Sequence, residues 1–316
     1  MEIDFVIPWV DGSDSKLIKK RNSYSEETTE LNGAERYRDT NLLEYLVLSI
    51  KKYASWVHHV YIVTDSQIPT WFKNEKGITI IDHTEFIPEK YLPTFNSNAI
   101  LMNIHRIPNL TEHFVLFNDD MIINDYVKPT DFFSKEGLPS DCAIYSVIPS
   151  DDVFSHIILN DMIVLNRHFK KKESFMSSWK KFLNFRYGKL LLRTILSFPW
   201  NGITGFYNPH VAVSYLKSSF EVFWEIEQEV CEKTSKNKFR TNDDVSDWVV
   251  RYFQLQSGKF EPRSYKFGKY YLQNDTKDVI ADLKMKRHKI ICINDVKESN
   301  LTADLPPIIN ALNQKF

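Results

Sequence analysis

The sequence predicts an α/β protein in which helices flank a mainly parallel sheet and further helices are added to it. Four short apolar runs occur within the first 120 residues, and each of them ends in polar residues. Continuous, β-branched runs of this length are typical of strands that are buried on both faces of a parallel sheet. A stretch with helical spacing separates the first two runs, which gives the strand–helix–strand order of a parallel sheet.

Each predicted strand is followed by residues that are suited to bind a ligand. The strands and their polar ends are 5–10 with 11–14, 60–63 with 64–66, 78–81 with 82–83, and 114–117 with 118–120. Ligands of open parallel sheets bind beyond the carboxyl ends of the strands. We therefore expect the four polar clusters to lie along one edge of the sheet.

Helices are predicted between these strands and in the last third of the chain. Apolar residues recur at helical spacing through 40–53, where Asp39 or Thr40 is suited to cap the helix. The other predicted elements are helices at 98–106, 209–217, 221–233, 243–256 and 305–315, the last beginning with Pro306 and Pro307, and strands at 143–148, 162–165 and 289–293.

The composition excludes some classes of protein. The 316 residues carry a net charge of −1, whereas a nucleic-acid-binding protein usually presents a strongly basic face. Three cysteines lie far apart, as is usual in a reducing compartment. The N-terminus lacks the features of a signal peptide, and no run of 18 apolar residues is present. We expect a cytoplasmic protein that has no nucleic-acid partner.

Residues 175–196 form a basic, aromatic and amphipathic stretch that includes Lys180, Lys181 and Arg186. One interpretation is peripheral association with the inner face of the cell membrane. The other is a core helix whose basic outer face shapes an anionic groove, and we favour this second interpretation.

Asp119 and Asp120 are the strongest candidates for a metal site. Two adjacent carboxylates at the end of a buried strand are costly unless a cation joins them. Mg²⁺, or Mn²⁺ in its place, suits such a pair because it takes one or two carboxylates and completes its shell with substrate phosphates. The alternative is a polar turn in which these side chains bond only their own backbone.

Two segments near the N-terminus are candidates for binding a nucleotide. Asp11, Gly12 and Asp14 follow the first strand, where glycine lets a ligand approach the backbone, although neither a dinucleotide fingerprint nor a P-loop is present. Arg36 and Arg38 precede the first helix and are suited to clamp a diphosphate. The alternatives are a plain Asp-Gly turn and a solvated charge cluster.

His210 and Arg240 are candidates for catalysis. His210 lies at the start of a predicted helix, and its ordinary pKa near neutrality suits a general acid or base, although a lone histidine is more often structural. Arg240 precedes another predicted helix, and an arginine beside a helix N-terminus makes an anion site. Equally, Asp243 and Asp244 could serve only the helix dipole.

Taken together, these segments resemble the four conserved regions of the Stealth family of sugar-phosphate transferases, in the family's order. The matching segments are 3–14, 36–39 through 117–120 including 92–100, 208–210 through 240–244, and 289–295. The resemblance implies a Rossmann-type core like that of nucleotide-sugar transferases. It also implies transfer of a hexose-1-phosphate, typically N-acetylhexosamine-1-phosphate, from a UDP-sugar to a saccharide hydroxyl, which forms a phosphodiester and releases UMP.

The resemblance also implies roles and partners. Asp120, His210, Arg240 and Asp244 would be catalytic. The donor would be bound by Asp11, Gly12, Asp14, Arg36, Arg38, Asp39 and Asn98. An oligo- or polysaccharide would be the acceptor, and a bacterial capsule or exopolysaccharide enzyme would work beside the polysaccharide export machinery.

The same resemblance divides the chain into three parts of one catalytic unit. They are an α/β part for nucleotide-sugar and metal at 1–130, a variable insertion with the basic helix at 131–205, and a helical part that completes the active site at 206–316. Two rival functions stay open: a metal-dependent glycosyltransferase that moves the sugar and releases UDP, and a non-catalytic protein that binds polysaccharide through its aromatic residues.

Overall fold

The central sheet follows the four apolar runs closely. The computed structural model describes residues 1–24, 30–33, 39–149, 152–295 and 301–316. Its strands are β1 (Ile3–Pro8), β2 (His59–Thr64), β3 (Ile78–Asp82), β4 (His113–Leu116), β5 (Met121–Ile123), β6 (Ser140–Asp141), β7 (Val213–Leu216), β8 (Glu261–Pro262), β9 (Gly268–Leu272) and β10 (Ile290–Asn294). The sheet order is β3–β2–β1–β4–β7, and only β7 runs antiparallel to its neighbour. The prediction of a mainly parallel sheet is confirmed.

The apolar runs are continuous because both faces of the sheet are covered. Successive side chains of a strand point to opposite faces. Phe5 and Ile7 of β1 therefore enter one hydrophobic core, whereas Val6 enters another on the opposite face, and all three are fully buried.

The helices surround this sheet and build the remainder of the chain. The α-helices are α1 (Ser15–Asn22), α2 (Leu42–Tyr53), α3 (Ser97–Met102), α4 (Pro129–Phe132), α5 (Ser155–His168), α6 (Lys171–Ser177), α7 (Trp179–Phe182), α8 (Leu191–Ser197), α9 (Lys217–Ile226), α10 (Gln228–Lys236), α11 (Trp248–Gln256), α12 (Thr276–Met285) and α13 (Leu301–Lys315). Short 3-10 helices lie at Glu30–Asn32, His83–Glu85, Glu89–Tyr91, Ile104–Arg106 and Phe185–Leu190. Within the described ranges, none of the helices combines the length and apolar character that a membrane crossing requires.

A second, three-stranded sheet meets the central sheet at the acidic pair. Its order is β5–β10–β9, with β10 antiparallel to β5 and parallel to β9. Asp119 and Asp120 form the short link between β4 of the first sheet and β5 of the second. A hydrogen bond holds this link to β10: the backbone N–H of Ile293 donates to the carbonyl of Asp120 at 2.9 Å. The strand predicted at 289–293 is β10, and it supplies this contact.

The helix predicted at 209–217 is wrong. Val213–Leu216 is the strand β7, which pairs with β4, and a helix begins only at Lys217. The segment is too short for its apolar period to separate strand from helix, and β4 supplies hydrogen-bond partners that are remote in sequence.

The two strands predicted at 143–148 and 162–165 are also wrong. The second lies inside α5, where Met162, Val164 and Leu165 are buried and Ile163 is exposed. The first is irregular because side chains bind its backbone: Ala143 N–H donates to the Tyr187 hydroxyl at 3.2 Å, and Tyr145 N–H to the Thr194 hydroxyl at 3.1 Å. Backbone pairing of the segment is limited to a single antiparallel bridge between Tyr145 and Phe206.

Several predicted helices exist with other boundaries. Asn41, in the left-handed conformation (φ 57°), precedes α2 without a side-chain cap bond, so neither Asp39 nor Thr40 caps that helix. The regions 98–106, 221–233 and 175–196 each divide into shorter helices, 243–256 is helical only from Trp248, and α13 begins before Pro306 and Pro307. Polar side chains that form hydrogen bonds with the backbone compete with helical hydrogen bonds and can end a helix.

Candidate active site

A cavity of about 620 Å³ lies at the carboxyl ends of β1, β2 and β4. Trp9, Asp65 and Asn118 line it directly after these strands, and His83 lines it after β3. The four predicted polar clusters therefore lie along one edge of the sheet, as expected for a parallel sheet.

Asp119 and Asp120 line this cavity, and both residues are partly buried. Burial, the charge of Asp120 and the charge of Asp39 raise the pKa of Asp119 to about 8. Burial also raises the pKa of Asp120, although the nearby His210 and a hydrogen bond from the thiol of Cys292 (3.3 Å) oppose that rise. Oδ1 of Asp120 is buried and has no hydrogen-bond partner among the described residues. The surrounding protein therefore does not fully compensate the negative charge that the pair carries when both carboxylates are ionised.

These features fit a divalent cation. The described ranges contain no cluster of three or more His, Cys, Asp or Glu side chains that would form a complete metal site by themselves. Mg²⁺ does not require one, because it keeps waters and takes substrate phosphates beside one or two carboxylates. The buried oxygen of Asp120 without a partner is an available ligand position.

His210 lies opposite the acidic pair, in the loop before β7 and not at a helix start as predicted. Its backbone is left-handed (φ 51°), and its ring stands perpendicular to the rings of Tyr270 and Trp248, with centroid distances of 4.9 and 5.9 Å. Burial lowers the pKa of His210, and the charge of Asp120 only partly offsets this. The imidazole is therefore neutral at neutral pH and able to accept a proton.

Buried contacts fix the loop that carries His210. The amide of Asn208 donates to the Tyr252 hydroxyl at 2.8 Å, and Arg251 donates to the amide oxygen of Asn208. On the other side of the loop, Gly268 permits a close approach, since a Cβ there would lie 2.5 Å from a methyl of Val211. The position of His210 is therefore set by packing and buried hydrogen bonds.

Arg240 lines the cavity but does not precede a helix, as was predicted, because α11 begins only at Trp248. Its guanidinium donates to the hydroxyl of Ser97 (Nε–Oγ 3.0 Å), and its backbone N–H donates to Asn32 at 3.1 Å. These contacts hold a positive charge beside the cavity, next to Ser97 at the start of α3.

Asp244 lies behind the cavity wall. It is fully buried, and its carboxylate accepts from the amides of Asn237 (2.7 Å) and Asn96 (2.8 Å) and from the backbone N–H of Thr241 (3.1 Å). These contacts show that Asp244 fixes the segment that carries Arg240, and its catalytic role stays a prediction. Asn98, a predicted donor ligand, does line the cavity.

Asp11, Gly12 and Asp14 were also predicted to bind the donor. The carboxylate of Asp11 accepts from the backbone N–H of Ser13 at 2.8 Å and so forms a turn. Asp14 caps α1 by accepting from the backbone N–H of Lys16 at 2.8 Å, which also lowers the pKa of Asp14. In the described part of the chain, the wall includes Trp9, Val10 and Leu17 but not Asp11, Gly12 or Asp14.

The remaining predictions for the donor concern residues 36–39. Asp39 raises the pKa of Asp119 and so lies near the pair. Arg36 and Arg38 lie outside the described residues, and their diphosphate contacts stay predictions.

Sequence reasoning assigned no role to several residues of the cavity wall. Asp247 is the clearest: burial raises its pKa to about 6, and Tyr215 donates to it at 2.7 Å. His83 is buried and neutral, with its pKa lowered to about 4 by burial. Trp248 and Tyr270 come from a helix and a strand whose local patterns give no sign of a site. Only their contact with His210 identifies them.

Comparisons with known proteins show the family of this chain. The models of Stealth protein conserved regions 1 and 2 match residues 1–29 and 36–141, which confirms the resemblance of those segments. The resemblance of 208–244 and 289–295 to later regions stays a prediction.

Relatives that match over nearly the whole chain are named as polysaccharide phosphotransferases. The chain is 41% identical to a capsular polysaccharide phosphotransferase of Streptococcus pneumoniae, over 100% of this chain and 96% of the relative. It is 44% identical to an exopolysaccharide phosphotransferase of Lactiplantibacillus plantarum, over 96% of this chain and 92% of the relative. A receptor polysaccharide phosphotransferase of Streptococcus gordonii is 37% identical, over 93% and 90%.

Proposed function

This chain is a phosphotransferase that belongs to the Stealth family, and we propose that it acts in capsule or exopolysaccharide synthesis. It moves a hexose-1-phosphate, with N-acetylhexosamine-1-phosphate as the expected group, from a UDP-sugar to a saccharide hydroxyl. The names of its bacterial relatives support the polysaccharide acceptor. The proposed partners are the UDP-sugar, that acceptor and the polysaccharide export machinery.

The observation that carries the proposal is the meeting of Asp120 and His210 in one cavity. The neutral imidazole accepts the proton of the acceptor hydroxyl, and the charge of Asp120 stabilises the imidazolium that results. The acceptor oxygen then bonds to the phosphorus next to the sugar. The bond from that phosphorus to the bridging oxygen breaks, and UMP leaves.

The other residues bind and orient the donor. Arg240 is held at the cavity wall, and Arg36 and Arg38 are proposed to join it against the phosphate oxygens. Asp119 and Asp120 would hold Mg²⁺ or Mn²⁺, which when bound neutralises charge on those oxygens. Asp39 and Asn98 are proposed to border the donor, with Asp11, Gly12 and Asp14 shaping the turn behind it.

We further propose that the central sheet is a Rossmann-type core like that of nucleotide-sugar transferases. The order β3–β2–β1 is that of a mononucleotide-binding half, and β4 lies beside β1 as in the doubly wound order, which supports this view. The cavity at the carboxyl ends of these strands agrees with the same rule.

The nucleotide product tests the proposal. The enzyme is incubated with a panel of UDP-sugars, Mg²⁺ and saccharide acceptors, and the released nucleotide and any phosphodiester are measured by chromatography and ³¹P NMR. UMP together with a phosphodiester is expected. Release of UDP would instead assign the rival glycosyltransferase, and saccharide binding that ignores nucleotide and metal would assign the binding protein.

A further inference from the structure

The segment between residues 147 and 200 exposes an unusual amount of apolar surface. More than half of the exposed large hydrophobic side chains of the described residues lie there. We call this set the apolar surface: Val147, Leu159, Ile163, Met176, Trp179, Leu183, Phe185, Leu192, Ile195, Leu196 and Trp200. Phe185 is 85% exposed and Trp200 60%, so these side chains contribute little to the core.

Helix α8 has its apolar face toward solvent. Leu192, Ile195 and Leu196 share that face at helical spacing, and each is more than half exposed. The buried face instead carries Thr194, whose hydroxyl accepts from Tyr145 N–H, and Ser197, whose carbonyl accepts from the ammonium of Lys171. A helix of a soluble protein normally has the opposite arrangement.

A groove extends the apolar surface toward the active site. It has a volume of about 660 Å³, and its walls include Leu159 and Ile163 of α5 together with Ile203. Helix α5 begins directly after Phe154, which lines the cavity that contains His210. The apolar surface therefore adjoins the wall of the active-site cavity.

Basic residues are interspersed with these apolar side chains. Residues 167–200 contain nine Lys and Arg but a single acidic residue, Glu173, although the whole chain has a net charge of −1. Lys172, Lys180 and Lys189 are exposed, and none of them forms an ion pair with a described residue. The positive charge of the chain is thus concentrated where its apolar side chains are exposed.

We propose that this surface attaches the protein to an anionic lipid bilayer. Apolar side chains enter the boundary between headgroups and acyl chains, while lysines bind lipid phosphates. Trp179 and Trp200 have the amphipathic rings that favour this boundary. A second copy of the chain fits less well, because two such surfaces would bring like charges together. The basic stretch at 175–196 then forms part of this membrane-binding surface and does not serve only as a core helix.

Vesicle flotation tests the electrostatic part of this proposal. Wild type is expected to float with vesicles of phosphatidylglycerol and phosphatidylcholine, and much less with phosphatidylcholine alone. The triple variant Lys172→Ser, Lys180→Ser, Lys189→Ser should bind the anionic vesicles about a hundredfold more weakly. A matched variant of exposed lysines elsewhere, Lys73→Ser, Lys76→Ser, Lys135→Ser, should bind like wild type. Equal binding by both variants, or no flotation of wild type, would overturn the proposal.

A second pair of variants tests the apolar part. Leu192→Ser, Ile195→Ser, Leu196→Ser should lose flotation, whereas three exposed apolar residues elsewhere, Ile68→Ser, Val222→Ser, Met285→Ser, should keep it. Thermal unfolding and nucleotide release from UDP-sugar in solution should be near wild type in both. If wild type sediments as a dimer that only the first variant dissociates, a second copy covers this surface and the lipid proposal is wrong.

Discussion

Arg251 and Asp141 form a buried ion pair through two parallel hydrogen bonds. Nε of Arg251 donates to Oδ2 of Asp141 at 2.5 Å, and Nη2 donates to Oδ1 at 2.9 Å. Burial alone would raise the pKa of Asp141, but the charge and hydrogen bonds of Arg251 outweigh it and hold the pKa below its ordinary value. The same guanidinium also binds Asn208, so the pair is the rigid base of the loop that carries His210.

Arg251→Met should destabilise the fold strongly. It leaves the Asp141 carboxylate buried without its partner, which typically costs about 3–5 kcal/mol. Arg167→Met is the matched control, because Arg167 is 55% exposed and pairs with Glu227 at 3.4 Å, and such pairs contribute about 0–1 kcal/mol. Denaturant unfolding measures both changes. Similar losses in the two variants would show that the buried pair has no special structural role.

His210→Ala should reduce turnover while the donor still binds. Loss of one positioned acid or base costs about 10²- to 10⁴-fold in rate. His168→Ala is the control, since that histidine also lies near a carboxylate, Glu227, with which it forms a hydrogen bond at 2.7 Å, but it lies outside the cavity wall. Steady-state rates and calorimetry with the UDP-sugar separate turnover from binding. Near-normal turnover of His210→Ala would rule out the proposed proton transfer.

Asp119→Asn and Asp120→Asn should each weaken Mg²⁺ binding, because each removes one charged oxygen ligand. Calorimetric titration with Mg²⁺ in the presence of UDP-sugar measures this without relying on activity. Asp125→Asn is the control, since Asp125 pairs with Lys286 at 3.0 Å away from the cavity. A chelator should abolish activity and added Mg²⁺ restore it. Unchanged titrations in both cavity variants would exclude the pair as ligands.

The acidic pair should also make stability depend on pH. The folded pKa of Asp119 is raised from 3.8 to about 8, so the folded protein holds this proton more tightly than the unfolded chain. Its contribution to stability is fully present below about pH 4 and is lost as the pH rises through about 8. Asp119→Asn cannot ionise and should therefore exceed wild type in stability at alkaline pH, without divalent cations. Parallel curves of melting temperature against pH would contradict the raised pKa.

Asp244→Ala should lower the free energy of unfolding much more than Asp243→Ala does. It leaves the amides of Asn96 and Asn237 without their acceptor, at a cost of about 1–3 kcal/mol or more. Asp243→Ala removes only an exposed ion pair with Lys233 and should change stability by less than about 1 kcal/mol. Urea unfolding compares the two. Normal stability together with loss of activity in Asp244→Ala would instead support the catalytic role that was predicted for Asp244.

Local sequence was sufficient where the structural cause is local. The runs that became β1 to β4 are apolar because both faces of their sheet are covered, and the polar residues after them lie at the edge of the sheet that carries the cavity. The acidic pair is recognisable for the same reason, since two carboxylates directly after a buried strand have few structural uses. The four segments also sufficed to identify the family.

Only the tertiary structure decided what surrounds that pair. His210 faces Asp120 because β7 pairs with a remote strand, and because Arg251 and Gly268 fix the preceding loop from both sides. Tyr270 and Trp248 join the site through contacts between elements that lie far apart in sequence. Asp244 has the polar character of a catalytic residue, and only the tertiary structure shows the buried hydrogen bonds that it makes to Asn96 and Asn237. Short-range patterns specify elements and their ends, whereas the partners of a side chain depend on packing across the whole chain.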